Sequence, residues 1–373
     1  MTRLFEATSI HGMKMRNRLV RSATWEGMCE PDGRPTQRLI NCYDNLARGK
    51  VGLIISGYTF VRPDGKGMPG KMGIHTDDFE KDFKQLTRRV HAAGGAIAIQ
   101  LVHAGGQTVA ENAGRQPLAP SSVKVDQFPE VPAEISVDDI QDIVDAFGAG
   151  ARRAKAWGFD AVQLHGAHGF LINQFLSPLT NRRTDDYGGS IENRIRFLIE
   201  VYRKGRETVG ENYPVLIKLN AADNVGGGLE IDDAMVAARE LARAGIDAIE
   251  VSTGTPASGG KAPAREKINT PEKEAYNLGP ALEIKKQVNC PVMVVGGFRS
   301  CEVIEKTLRD NDISYISMSR PFIREPGLVL RWLQGDRRPA RCISCNGCFK
   351  PGLEEGGIYC VVEKKEQEKA AGK

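Results

Sequence analysis

The chain contains no uninterrupted apolar stretch of about 18 residues, which removes a membrane-spanning helix from its expected elements. Its first residues, Met1-Thr-Arg-Leu-Phe-Glu6, lack the apolar core of a secretory signal, so a cytoplasmic setting is expected. Strong charge of either sign is also missing. The 51 Lys and Arg against 47 Asp and Glu leave +4, too little to single out nucleic acid or an anionic membrane as a partner. No Gly-x-Gly-x-x-Gly follows the first apolar run, which argues against an open, doubly wound dinucleotide-binding sheet. What is present is 373 residues, 41% hydrophobic and 26% charged, enough for a large buried core. The Lys- and Glu-rich end, Lys364 to Lys373, has little that can pack and reads as a solvated tail.

Eight short apolar runs alternate with helix-like segments: Arg18–Ser22, Val51–Ser56, Ala96–Gln100, Asp160–Leu164, Pro214–Leu219, Asp247–Val251, Pro291–Val295 and Ile313–Met318. Ser136 to Trp157 is the clearest helix, with a Ser136-Val-Asp-Asp139 start and apolar Ile140, Ile143, Val144, Phe147 and Ala151 at helical spacing. An internal echo relates Ala154-Lys-Ala-Trp-Gly-Phe-Asp-Ala-Val-Gln-Leu164 to Leu241-Ala-Arg-Ala-Gly-Ile-Asp-Ala-Ile-Glu-Val251, with a looser copy at Ala47–Ile55. Each reads as a helix end, a glycine stop and a strand. Eight such units predict an α/β fold, a (β/α)8 TIM barrel over residues 1–335, with a short cysteine-rich extension over 336–373.

Active sites of such barrels lie at the C-terminal ends of the strands, so the polar residues just after each run are the candidates. Gln100 and His103 follow the third run, His165 and His168 the fourth, Lys218 and Asn220 close the fifth, Gly296-Gly297 the seventh and Ser319-Arg320 the eighth. Glycine backbone and an arginine after strands seven and eight suit a phosphate. Two histidines without a nearby carboxylate make a poor metal site, but two imidazole N–H donors can hold an oxygen that gains negative charge.

At these residues the chain resembles the old yellow enzyme family of FMN-dependent oxidoreductases. The resemblance rests on His165-Gly-Ala-His-Gly-Phe-Leu-Ile-Asn-Gln-Phe-Leu-Ser-Pro-Leu-Thr-Asn-Arg-Arg-Thr-Asp-Asp-Tyr-Gly-Gly-Ser-Ile-Glu-Asn-Arg194, with Asn17-Arg18, Gln100-Leu-Val-His-Ala-Gly and Val295-Gly-Gly. It implies that Gln100 bonds the pyrimidine edge of FMN and that Lys218, where the family commonly has Arg, lies beside it. It implies that Gly296, Gly297, Ser319 and Arg320 hold the phosphate, and that Ser22, Ala23, Thr24 and Gly57 line the ring. His165 and His168 would grip the carbonyl of an α,β-unsaturated substrate, whose β-carbon takes hydride from flavin N5. The family commonly has Tyr two residues after the second histidine as proton donor. Phe170 stands there, and the candidate replacements are Tyr58 and water, with Tyr58 the one taken forward.

Of eight cysteines, Cys342, Cys345, Cys348 and Cys360 crowd the C-terminus in a spacing that suits either a [4Fe–4S] cluster or structural zinc. The resemblance favours the cluster, because similar cysteines mark the branch that contains 2,4-dienoyl-CoA reductase and trimethylamine dehydrogenase. Larger members of that branch continue into a part that binds FAD and a nicotinamide, whereas this sequence stops at Lys373. Electrons are then expected from NAD(P)H directly, or from a ferredoxin-like partner or separate reductase subunit, and a homo-oligomer is expected. The leading expectation is reduction of an activated C=C bond. Its alternatives are oxidative dealkylation of an amine, with Trp25, Tyr58 and Phe170 near the cation, and a non-catalytic electron-transfer subunit. The long Thr253–Tyr276 segment reads as a lid, with Lys261, Arg265 and Lys267 available to an acidic substrate.

Overall fold

The computed structural model describes residues 3–124 and 128–372. Eight parallel strands close into a barrel: β1 (Leu19–Arg21), β2 (Leu53–Phe60), β3 (Ala96–Val102), β4 (Ala161–Gly166), β5 (Val215–Asn220), β6 (Ala248–Ser252), β7 (Val292–Val295) and β8 (Tyr315–Met318). Each pairs with the next in chain order, and β8 returns to β1. All eight fall on the apolar runs, so the (β/α)8 barrel expected from the sequence is the fold. β3, β4, β5 and β6 are buried at every position. Strands covered on both faces read as continuous apolar runs for this reason.

Helices α1 (Gln37–Arg48), α2 (Glu80–Ala92), α3 (Val137–Ala156), α4 (Arg196–Val209), α5 (Ile231–Ala244), α6 (Leu278–Lys285) and α7 (Cys301–Asp310) alternate with the strands. α3 starts where the sequence indicates: Ser136 Oγ accepts the Asp139 N–H at 3.0 Å. Its Ile140, Ile143, Val144, Phe147 and Ala151 are buried. In two copies of the internal echo the stop is a left-handed glycine, Gly158 at φ +88 and Gly245 at φ +95. The third copy differs. Lys50 takes the positive φ, +68, while Gly49 stays at −67. Gly49 is needed for space instead, because a Cβ there would lie 1.9 Å from the Pro326 carbonyl oxygen.

A hairpin of Thr8–Ile10 and Met13–Met15 closes the lower end of the barrel. Its Ile10, Met13 and Met15 pack with inward residues such as Val20, Leu53, Leu216 and Met293. The C-terminal segment returns to the opposite end. There the Ile358 N–H donates to Glu26 O at 2.8 Å, and Arg38 Nη1 donates to Gly356 O at 2.9 Å. The end from Lys364 is exposed, as expected, but it is helical over Val361–Ala370 and carries an Arg324–Glu366 ion pair of 2.6 Å. Lys373 lies outside the described residues. Among the described residues no helix is long and apolar enough to cross a membrane.

Candidate active site

A cavity of about 450 Å³ opens at the C-terminal end of the barrel. Ser22, Ala23 and Thr24 reach it from the end of β1, Tyr58 from β2, Gln100 from β3, His165 and His168 from β4 and the turn after it, and Lys218 from β5. Gly297, Ser319 and Arg320 enter from the loops after β7 and β8. These residues are far apart in sequence and meet only because the strands run parallel in one closed sheet.

The floor is a buried polar chain. Lys218 Nζ donates to Ser22 Oγ at 2.8 Å, and Ser22 Oγ donates to Glu250 Oε1 at 2.7 Å. Gln163 Nε2 donates to Glu250 Oε2 at 2.9 Å, and Gln100 Nε2 donates to Gln163 Oε1 at 2.7 Å. Lys218 also lies 3.4 Å from Glu250 Oε2, and both are almost wholly buried. Burial pulls the lysine pKa down, and the carboxylate pulls it back only in part. Glu250 and Gln163 were not among the sequence candidates. The internal echo places them in the same strand slot, Ala-Ile-Glu-Val and Ala-Val-Gln-Leu, and that shared polar slot was the available signal.

Along that chain Gln100 has its amide nitrogen satisfied, while its Oε1 is buried without a donor. Ser317 Oγ, also at the cavity, is buried without a partner. An orphaned acceptor at this depth calls for a ligand N–H, such as the imide edge of a flavin. Gly297, which lines the cavity, has φ +76, and a Cβ there would come within 2.8 Å of the Tyr276 ring. Gly57 and Gly296, named with the ring and the phosphate, do not line the cavity. The Gly57 N–H donates to Glu26 Oε1 at 3.1 Å inside the β2 bulge, where a Cβ would fall 2.0 Å from Glu26 Oε2. Gly296 sits against the Asn277 backbone, 2.9 Å from a would-be Cβ.

His165 and His168 stand with ring centroids 5.4 Å apart and planes at 88°. His168 has φ +61, and its Nε2 lies 2.7 Å from Ser252 Oγ. His165 Nδ1 is buried without a partner. Burial, then the neighbouring His168 and Lys218, pushes the His165 pKa well down. Burial and Lys218 do the same to His168. At neutral pH the pair is therefore two uncharged imidazoles. Phe170 packs 4.7 Å from His165 and 4.9 Å from Tyr58, with Tyr58 6.0 Å from His165. Above the Tyr58 ring, at 3.0 Å from its centroid, sits Lys71 Nζ, buried without a hydrogen-bond partner. No sequence pattern singled out Lys71. Nor does His103 belong to this cavity. It accepts the Gly105 N–H at Nδ1, which leaves Nε2 to donate to Asp64 at 3.3 Å.

Cys342, Cys345, Cys348 and Cys360 line one small cavity with Arg320, Arg324 and Asn346. The Ser344 N–H donates to Cys342 Sγ at 3.5 Å. Burial pushes the Cys348 thiol up to about 12 and raises Cys342 as well. A bound cation would favour their thiolate forms. Among the described residues, however, no three Cys, His, Asp or Glu side chains converge closely enough to hold a single metal ion. Phe349 and Leu353 of the same segment line the large cavity, so the two sites share a wall.

Comparison with known proteins agrees with this geometry. Residues 3–338 match the model of the NADH:flavin oxidoreductase / NADH oxidase family. An NADPH dehydrogenase of Bacillus pumilus is 38% identical over 87% of this chain and 92% of its own length. An NADH oxidase of Thermoanaerobacter brockii is 37% identical over 93% of this chain, which spans 53% of that relative. Among solved structures, a 2-naphthoyl-CoA reductase in complex with 2-naphthoyl-CoA superposes with a TM-score of 0.89 at 28% identity, over 96% of this chain and 56% of that one. The barrel is thus that of a flavin-dependent oxidoreductase. The chain belongs to the NADH:flavin oxidoreductase / NADH oxidase family, the old yellow enzyme family of FMN-dependent enzymes.

Proposed function

We propose that this protein reduces a C=C bond conjugated to a carbonyl, as an enone or an enoyl thioester. The observation that carries the reading is the placement of two imidazoles, His165 and His168, in the one cavity that the orphaned Gln100 acceptor also lines. Bound FMN supplies a hydride donor. Gln100 would accept from its imide, Gly297, Ser319 and Arg320 would hold its phosphate, and Ser22, Ala23 and Thr24 would border its ring. Lys218, paired with Glu250, would lie beside the pyrimidine edge. His165 and His168 would each donate an N–H to the substrate oxygen, which drains electron density from the β-carbon. Tyr58, whose ring lies 6.0 Å from that of His165, would supply the proton to the α-carbon. The names of the relatives, NADH oxidase and NADPH dehydrogenase, make NAD(P)H the first electron donor to test.

The cysteine segment, residues 336–373, would carry a [4Fe–4S] cluster beside the barrel of residues 1–335. The four thiols line one small cavity, and that shared placement supports the reading. Iron and acid-labile sulfide should then be found together in anaerobically purified protein, and zinc alone would end the cluster reading. For the reaction, turnover of a cyclic enone with NAD(P)H should fall roughly 10²–10³-fold in His165→Ala or His168→Ala, and sharply in Tyr58→Phe. Flavin bleached by a methylated amine and not reoxidised by any enone or enoyl thioester would favour amine oxidation instead.

A further inference from the structure

Asn346 stands between two of the clustered cysteines, in Cys345-Asn-Gly-Cys348, and takes the left-handed backbone at φ +56. Asparagine tolerates that conformation better than most residues. Its side chain is used at both ends. Oδ1 accepts from Arg320 Nη1 at 2.6 Å, and Nδ2 donates to Ala264 O at 2.7 Å. Arg320 Nη1 also donates to Arg265 O at 2.8 Å. Just before Arg265 along the loop, Pro263 and Ala264 form part of the wall of the large cavity. Two residues later, the Lys267 N–H donates to Ser344 O at 3.2 Å. Arg320 borders both the large cavity and the cysteine cavity.

From these contacts we propose that Asn346 is a positioning residue that fixes the FMN phosphate arginine and the loop after β6 to the cysteine segment. The inference rests on the flavin site described above and adds a coupling between the two sites. A guanidinium held at one nitrogen by an amide oxygen and a backbone carbonyl keeps its remaining donors in a fixed direction, and such preorganisation raises affinity for an anion. The loop that carries Pro263 and Ala264 is otherwise rich in Gly and Pro with exposed charge. Asn346 and Ser344 give it two of its crossings to the cysteine segment. The cysteine segment thereby serves the barrel mechanically, whatever electrons pass through it.

The test uses the purified holoenzyme and its Asn346→Gly variant, because glycine keeps the left-handed backbone and removes only the amide. FMN dissociation is measured by ultrafiltration, iron per chain is counted, and trypsin cleavage at Arg265 and Lys267 is timed. The variant should hold FMN about tenfold more weakly and be cut several-fold faster in the loop, with iron unchanged. Cys345→Ser, which leaves the amide in place, should lose iron but show a smaller loss of FMN affinity than Asn346→Gly. FMN held as tightly as in the unaltered protein, a loop cut no faster, or an equal loss in Cys345→Ser overturns the proposal. Unaltered protein that binds no FMN at all overturns the proposed function, and this inference with it.

Discussion

Beneath the candidate site Glu250 has no exposure to solvent, and its one ion pair among the described residues is with Lys218. Removing one partner of a buried ion pair leaves the other uncompensated. Lys218→Met should therefore cost about 3–5 kcal/mol in urea unfolding, and a second change, Glu250→Gln, should restore most of it. Equal midpoints for the unaltered protein and Lys218→Met would show that the pair is not coupled. The histidines give a pH signature. Their pKa values are pushed below the ordinary 6.5 in the fold, so the unfolded chain binds protons that the folded chain refuses. Their contribution is whole above pH 6.5 and is lost as pH falls below it, by up to about 1.4 kcal/mol per pH unit for each. A His165→Gln, His168→Gln double variant should show a shallower fall in unfolding free energy between pH 6.5 and pH 5, and an unchanged slope would contradict the assignment.

Among the elements, the junction between α1 and β2 is the clearest case of two neighbouring residues whose roles are the reverse of the sequence pattern. Lys50 carries a positive φ that costs a side-chain-bearing residue about 1–2 kcal/mol. Lys50→Gly should be neutral or stabilising by up to about 1 kcal/mol. Gly49→Ala should destabilise by about 1–3 kcal/mol, because its Cβ would strike Pro326 in the loop after Arg320–Arg324. Thermal melts of the two variants moving in the same direction would refute this division of labour. The segment after β4 shows a similar separation of roles. Ser190 occupies the N-cap of Ile191–Arg194 without a side-chain cap bond, while Asn181 donates to both Phe175 O and Tyr187 O, and Arg183 donates to Pro120 O at 3.1 Å. Much of that long family-like stretch therefore shapes the loop, and His165, His168 and Phe170 are its members at the cavity.

For the whole molecule, the cysteine segment is part of the cavity wall. Phe349 and Leu353 border the cavity. Gly352 lies so close to Trp25 that a Cβ would come within 2.8 Å of its ring. A chain ended after residue 338, where the family match stops, should still form the barrel but purify with little flavin and melt at a lower temperature. Absorbance near the flavin bands and a thermal scan check both parts. Full flavin content in the shortened chain would mean that the segment contributes nothing to the pocket.

The sequence by itself determined the eight strands and the barrel, because strand order, glycine stops and apolar runs are local and repeat with the same period. It also picked out several of the polar cavity residues, since a parallel barrel brings every strand's C-terminal end to one mouth. Gln100, His165, Lys218 and Arg320 are legible from that rule alone. Only the tertiary structure decided what those residues lean on. Glu250 and Gln163 pair across strands that are distant in sequence, Lys71 arrives over Tyr58 from a loop with no pattern of its own, and Asn346 touches Arg320 and Ala264 through the fold of the chain end. Contacts of that kind depend on which side chains face each other after closure, and a one-dimensional period carries no record of it.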